Sequence, residues 1–185
     1  HGGGRGAAGG GGGVSDGGGA GMKLFGVTGF KNAGKTGLVE RLVTEIAGRG
    51  LTVSTVKHTH HDVDLDAPGT DSFRHRAAGA REVVLASTNR WAMLHELRGQ
   101  AEPTLEELMA RMAPVDLVIA EGYKTARHPK VEAWRQAAGH RLMAPDDPTI
   151  RAVAADTALA GLCVPRLDLD DTRGIADFIL REVGL

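Results

Sequence analysis

The sequence predicts an α/β fold: a mostly parallel sheet covered by helices on both faces, with an antiparallel extension as an open addition. Three observations carry that expectation. Apolar stretches of strand length alternate with segments of helical periodicity along the chain. One of these stretches, Val115-Asp116-Leu117-Val118-Ile119-Ala120, is nearly continuous in apolar side chains, as strands buried on both faces are. The first strand runs through a glycine-bearing turn into an amphipathic helix and on to a second strand within about 35 residues, the size of a βαβ unit.

The elements follow in order. Residues 24–27 form a short apolar strand ending at Thr28 and Gly29. After Gly34 the period becomes helical, with Leu38, Val39, Leu42, Val43 and Ile46 on one face and Gly48 and Gly50 as stop signals. The β-branched residues at 52–56 predict a second strand, and a long polar segment follows over 57–69. Residues 71–79 predict a short helix, 82–86 a third strand and 90–97 a fourth. Pro103 and Thr104 open an acidic-first helix through Met112. The apolar strand at 115–120 ends at Glu121 and Gly122; weaker strand signals lie at 130–134, 151–155 and 167–169. An amphipathic helix over 175–183 closes the chain.

Composition narrows the function classes. Of 185 residues, 27 are glycine, and 13 of these fall in residues 1–21. That stretch has no apolar side chains able to offset its ordering entropy, so it reads as a flexible tail, either a tag or an upstream extension. Residues 22–185, starting at Met22, read as one domain. A net charge of −1 offers no global attraction to nucleic acid or anionic lipid, and seven aromatic residues without basic interleaving make no base-stacking surface. The lone Cys163 permits no internal disulfide. No apolar run approaches ~18 residues and no signal peptide is evident, so a cytoplasmic domain without nucleic acid or membrane partners is expected.

Gly29-Phe30-Lys31-Asn32-Ala33-Gly34-Lys35-Thr36 fits G-x-x-x-x-G-K-[ST] at every fixed position, between an apolar strand and an amphipathic helix. Backbone N–H groups of such a curled loop can all point at a phosphate chain, and side chains at the tightest points would block it, so glycine stands there. The helix N-terminus adds its free amides and the positive end of its dipole. Lys35 is placed to reach the β- and γ-phosphates and Thr36 to hold Mg²⁺. Asn32 sits where the loop calls for positive φ, which Asn tolerates best after glycine. The motif makes the fold P-loop NTPase-like and the loop a nucleotide site.

Glu121 ends a buried strand, the position from which an acidic residue orients Mg²⁺ and its waters in such folds; an ordinary turn carboxylate is the plainer reading. Lys57-His58-Thr59-His60-His61-Asp62-Val63-Asp64 also follows a strand, at the edge where open α/β sheets bind ligands. Metal ligation, contacts to substrate or Mg²⁺-bound water, and a plain polar loop all stand open for it. The spacing of His58, His60 and His61 matches no firm zinc pattern. Asp71 either caps its helix or also touches ligand. Asp156, at the end of 151–155, reads equally as a base-edge contact and as a turn residue. Asn-Lys-x-Asp, the usual guanine signature, is absent.

Taken together, GFKNAGKT, VKHTHHDVDLDAPGTDS with the following AAGA, RWA, DLVIAEGYK and IRAVAADTAL resemble, in order and spacing, the molybdopterin-guanine dinucleotide biosynthesis protein B (MobB) family. The resemblance runs from about Met22 to the C-terminus. It implies a GTP-binding protein with weak Mg²⁺-dependent GTPase activity, commonly a homodimer, that assists a MobA-type guanylyltransferase in attaching GMP to molybdopterin. It further implies that Gly29, Asn32, Ala33, Gly34, Lys35, Thr36 and Gly37 bind the nucleotide and that Thr36 and Glu121 serve Mg²⁺. Lys35 and Glu121 would serve hydrolysis, while His58, His60, His61, Asp64 and Asp71 line the adjoining cleft. Lys31 and Asn32 stand where the family usually has small residues, and Tyr123 replaces a common Phe. Two alternatives remain open at this point: a small-molecule P-loop kinase with Asp64 or Asp66 as base, and a non-hydrolysing nucleotide-dependent adaptor.

Overall fold

The structure, a computed structural model, describes residues 21–60 and 63–185. The glycine-rich stretch expected over 1–21 lies outside the described residues apart from Gly21, as does His61. The chain runs β1 (Lys23–Thr28), α1 (Lys35–Gly48), β2 (Val53–Lys57), α2 (Asp71–Ala77), β3 (Glu82–Ala86), β4 (Trp91–His95), α3 (Leu105–Met109), β5 (Leu117–Glu121), β6 (Lys130–Trp134), β7 (Ile150–Ala155), β8 (Arg166–Asp168) and α4 (Thr172–Val183). A six-stranded sheet has the order β2-β5-β1-β6-β7-β8, and every pairing within it is parallel. The antiparallel extension is a separate two-stranded sheet of β3 and β4. Among the described residues no helix is long and apolar enough to cross a membrane.

Because all six strands point the same way, their carboxyl ends collect at one edge. Gly29, His58, Gly122, Arg135 and Asp156 directly follow β1, β2, β5, β6 and β7 and so meet there. The chain leaves β1 toward β5 and β2 on one side, and after β5 it crosses to β6 on the other. Such a reversal leaves a crevice beyond the strand ends.

The core lies between the sheet and the paired helices α1 and α4. Leu38, Leu42 and Ile46 of α1 meet Ile175, Phe178 and Ile179 of α4 over Phe25, Val27, Ile119, Val131 and Ala154. The helical period read from α1 is therefore its buried stripe. α4 starts three residues before the expected Ile175 because Asp171 caps it, accepting from the Gly174 amide at 2.9 Å. α3 has the expected opening, a capping box of Thr104 and Glu107, but ends at Met109 rather than Met112. It buries only Leu105, and Pro114 soon afterwards disfavours helical backbone at the residue before it.

The opposite face of β6 is polar and yet buried. Glu132 is fully buried and accepts from the amides of Met143 (2.8 Å) and Ala144 (2.8 Å), pinning that segment to the sheet. Lys130, 1% exposed, donates to the Ala126 carbonyl and to Thr149 Oγ1 (2.7 Å). A Cβ on Gly26 would strike the His128 ring and the Lys130 stem, so glycine is what lets both lie flat on β1.

His128 is buried, and its Nε2 has no hydrogen-bond partner among the described residues. Burial, with the nearby Lys130 charge, lowers its pKa to about 4, against the weaker opposing pull of Glu106 and Asp147. The unfolded ring titrates near ~6.5, so between the two values the unfolded chain holds more protons. The stability His128 contributes is therefore complete above ~6.5 and lost as pH falls toward 4, by roughly 2–3 kcal/mol. Urea denaturation at neutral and mildly acidic pH is expected to show a smaller acid loss in His128→Asn than in the unaltered chain. Equal losses would contradict this assignment.

Candidate nucleotide site

The turn after β1 has the geometry a phosphate cradle needs. Gly29 has φ 141° and Gly34 φ 88°, and Asn32, the predicted positive-φ residue, has φ 64°. A Cβ on Gly29 would lie 2.5 Å from the Ala133 carbonyl oxygen, so no larger residue fits between loop and β6. The Phe30 carbonyl accepts from the Ala33 amide (3.3 Å), and α1 begins with the Leu38 amide on the Gly34 carbonyl (3.0 Å). No side chain caps α1 and no acidic residue lies in its first turn, whereas Thr70, Thr104 and Asp171 cap the other helices. The first amides of α1 thus keep their capacity for an anion. Ala33 is buried against the core, and Lys31 and Gly37 are exposed.

Around this loop the structure gathers Lys35, Thr36, Lys57 and Glu121. Lys35 Nζ donates to the Phe30 carbonyl at 2.8 Å, bending back over its own loop. Partial burial lowers its pKa; Glu121 opposes that shift, and Lys124 and Lys57 add to it. A partly buried ammonium with other cations nearby gains from an anion more than a fully exposed lysine would. Thr36 Oγ1 donates to Glu121 Oε1 at 3.0 Å, and Glu121 is buried at the end of β5. Lys57 Nζ stands 3.4 Å from the same carboxylate oxygen and 3.5 Å from Thr36 Oγ1. A hydroxyl and a carboxylate side by side are the hard oxygen donors that suit Mg²⁺, and the glycine-lined cradle suits a phosphate chain. The residues present fit both groups.

Gly122 joins this site to a second hollow. Its φ is 88°, and a Cβ there would lie 2.8 Å from the His58 carbonyl oxygen, while the His58 amide donates to Glu121 O at 2.9 Å. Beyond it opens a cleft of about 690 Å³ lined by residues including His58, His60, Glu102, Tyr123, Lys124 and Arg127. His58 Nε2 lies 2.6 Å from Glu102, with the His60 ring edge-on at 4.7 Å and the Tyr123 ring at 5.3 Å. Lys124 Nζ sits 5.1 Å above the Phe30 ring, linking this cleft to the phosphate loop.

Asp64 and Asp71 lie away from the phosphate loop, while Asp156 stands at the same strand edge, beside Arg135. Asp64 is exposed and faces Arg76 at 3.4 Å. Asp71 opens α2 and lines a separate depression with Phe73 and Arg74. Asp156 accepts from the Gln136 amide at 3.0 Å and stands 4.0 Å from Arg135. Among the described residues no three His, Cys, Asp or Glu side chains converge as a metal cage. The sequence marked Lys57 only as the start of the polar 57–64 segment and gave no role to Arg135. Their signal was position, each standing at the carboxyl end of a parallel strand.

A family model described as molybdopterin guanine dinucleotide synthesis protein B (MobB) matches residues 24–156. The chain belongs to the MobB family. A molybdopterin-guanine dinucleotide biosynthesis adapter protein of Escherichia coli (strain K12) is 39% identical over 149 residues, covering 77% of this chain and 83% of the relative. One of Haemophilus influenzae is 36% identical over 145 residues, covering 77% and 79%. The crystal structure of a MobB homologue from Bacillus stearothermophilus superposes with a TM-score of 0.63 at 29% identity, covering 88% of this chain and 99% of that one. Membership of the MobB family agrees with the P-loop NTPase-like sheet described above.

Proposed function

We propose that the chain is a GTP-binding accessory protein in molybdenum cofactor biosynthesis. It assists a MobA-type guanylyltransferase in joining GMP to molybdopterin, and it hydrolyses GTP slowly with Mg²⁺. The observation that carries this reading is the convergence of Lys35, Thr36 and Glu121 on a glycine-shaped, uncapped loop in a chain of the MobB family. The adapter names of the relatives supply the pathway.

Each residue has a physical task. The loop amides and the start of α1 hold the phosphates, and Lys35 exchanges the Phe30 carbonyl for phosphate oxygen. Thr36 and Glu121 would hold Mg²⁺, which when bound would supply charge neutralisation for the phosphate chain. Lys57, 3.4 Å from Glu121 Oε1, helps to hold the buried carboxylate in place. The cleft beyond Gly122, with Lys124 and Arg127 among its lining, takes molybdopterin. A second copy of the chain covers the β3–β4 hairpin, where Val84, Trp91 and Met93 are exposed on one face. Sedimentation is expected to give twice the chain mass, and Trp91→Glu to return it to the monomer; a monomeric unaltered chain would contradict this.

The geometry favours this over the kinase alternative. Arg76 hydrogen-bonds Asp66 and holds its carboxyl below the usual carboxylate range, and Asp64 faces the same guanidinium. Asp66 is thus engaged by Arg76, and Asp64 faces that guanidinium rather than the phosphate loop. The test is a reconstituted guanylyl transfer with a MobA-type partner, GTP and molybdopterin. Adding the chain is expected to speed dinucleotide formation, with slow phosphate release from GTP in preference to ATP. No acceleration, or γ-phosphate transfer to an acceptor, would overturn the reading.

A further inference from the structure

The end of β6 lies against the phosphate loop at both of its fixed glycines. The Ala133 carbonyl fills the space a side chain would need at Gly29. At Gly34, the left-handed residue from which α1 starts, a Cβ would lie 2.9 Å from Arg135 Nε and 3.5 Å from Arg135 Nη2. Arg135 thus rests its guanidinium against the last residue of the cradle before Lys35.

That guanidinium has little to bond with. Among the described residues its charge partner is Asp156, and the distance of 4.0 Å is at the outer limit of an ion pair. The other Asp156 oxygen is already taken by the Gln136 amide. Arginines used as struts in this fold look different. Arg41 donates to the Leu169 carbonyl (2.7 Å) and Thr172 Oγ1 (2.9 Å), and Arg166 donates to the carbonyls of Ala155 and Thr157 (3.0 Å each). Arg135 is instead loosely tethered from β7, partly exposed, and rich in unused donors.

We propose that Arg135 is a further ligand-binding residue of the phosphate loop, a cation supplied by the chain itself that contacts the phosphate chain of the bound nucleotide. Its planar fork suits phosphate oxygens, and Asp156 keeps it beside Gly34 without saturating it. This rests on the nucleotide reading above and adds a fourth strand end, that of β6, to the site.

The test is calorimetry of the unaltered chain, Arg135→Ala and Arg135→Lys, with GTP, GDP and GMP plus Mg²⁺, and with inorganic tripolyphosphate. Arg135→Ala is expected to weaken GTP and tripolyphosphate by about tenfold or more. The loss should shrink from GTP to GMP, Arg135→Lys should fall between, and the unliganded Tm should hardly move. Should Arg135→Ala not fold, Arg135→Met keeps the stem against Gly34 and carries the same expectation. Unchanged affinities would overturn the proposal. So would an equal loss for all four ligands with a lowered unliganded Tm, which would mark Arg135 as a strut. If the unaltered chain binds tripolyphosphate but not GTP, the guanine reading fails, and Arg135 is judged by tripolyphosphate alone.

Discussion

Lys35→Ala is expected to weaken GTP binding at least about tenfold, and to do so without harming the fold. Among the described residues its ammonium has one hydrogen bond, to the Phe30 carbonyl, which water can replace once the side chain is gone. In the bound state nothing replaces it. A phosphate chain held by amides loses the loop cation that bends back over the cradle, since Lys31 is exposed, Lys57 is engaged with Glu121 and Lys124 lies over Phe30. Because burial already pushes the Lys35 pKa down, removing the charge relieves the unliganded protein slightly. Calorimetry with GTP and thermal unfolding without it separate the two effects. Unchanged GTP affinity would remove Lys35 from the site.

Glu132→Ala carries the largest expected effect on stability, about 3 kcal/mol, or roughly 6–12 °C in Tm. The carboxylate is fully buried, and burial pushes its pKa up while the Met143 and Ala144 amides pull it down. Truncation leaves those two amides without their acceptor. The effect travels toward the site, because the same segment carries His140, whose ring lies 5.0 Å from Phe30 and whose carbonyl accepts from the Trp134 indole (2.8 Å). Glu132→Gln keeps one acceptor and is expected to recover part of the loss. Denaturant titration checks both, and a change under about 0.5 kcal/mol in Glu132→Ala, the size of an ordinary surface substitution, would contradict the anchoring role.

Much of this was legible in the residues because it is local. The phosphate loop needs glycine at set positions, positive φ at Asn32 and an uncapped helix start, and all of these are written within eight consecutive residues. The apolar run of β5 announces a strand buried on both faces. β6 gave a weak signal although it lies inside the sheet, because Lys130 and Glu132 interrupt its apolar pattern. Their burial depends on Ala126, Thr149, Met143 and Ala144, partners that no local pattern discloses. The same weakness concealed Arg135, which is meaningful only once β6 is placed beside β1. The 58–64 segment shows the converse: its His and Asp residues suggested one cluster, but His58 and His60 enter the cleft while Asp64 turns to Arg76.

The most direct measurement is the amide spectrum of ¹⁵N-labelled chain titrated with GTP and Mg²⁺. Large shifts are expected at Gly34, Lys35 and Thr36, saturating with one nucleotide per chain and needing at least about tenfold more GTP in Lys35→Ala. Shifts confined to the cleft of His58 and Lys124, with the 29–36 amides unmoved, would contradict the nucleotide reading of the loop.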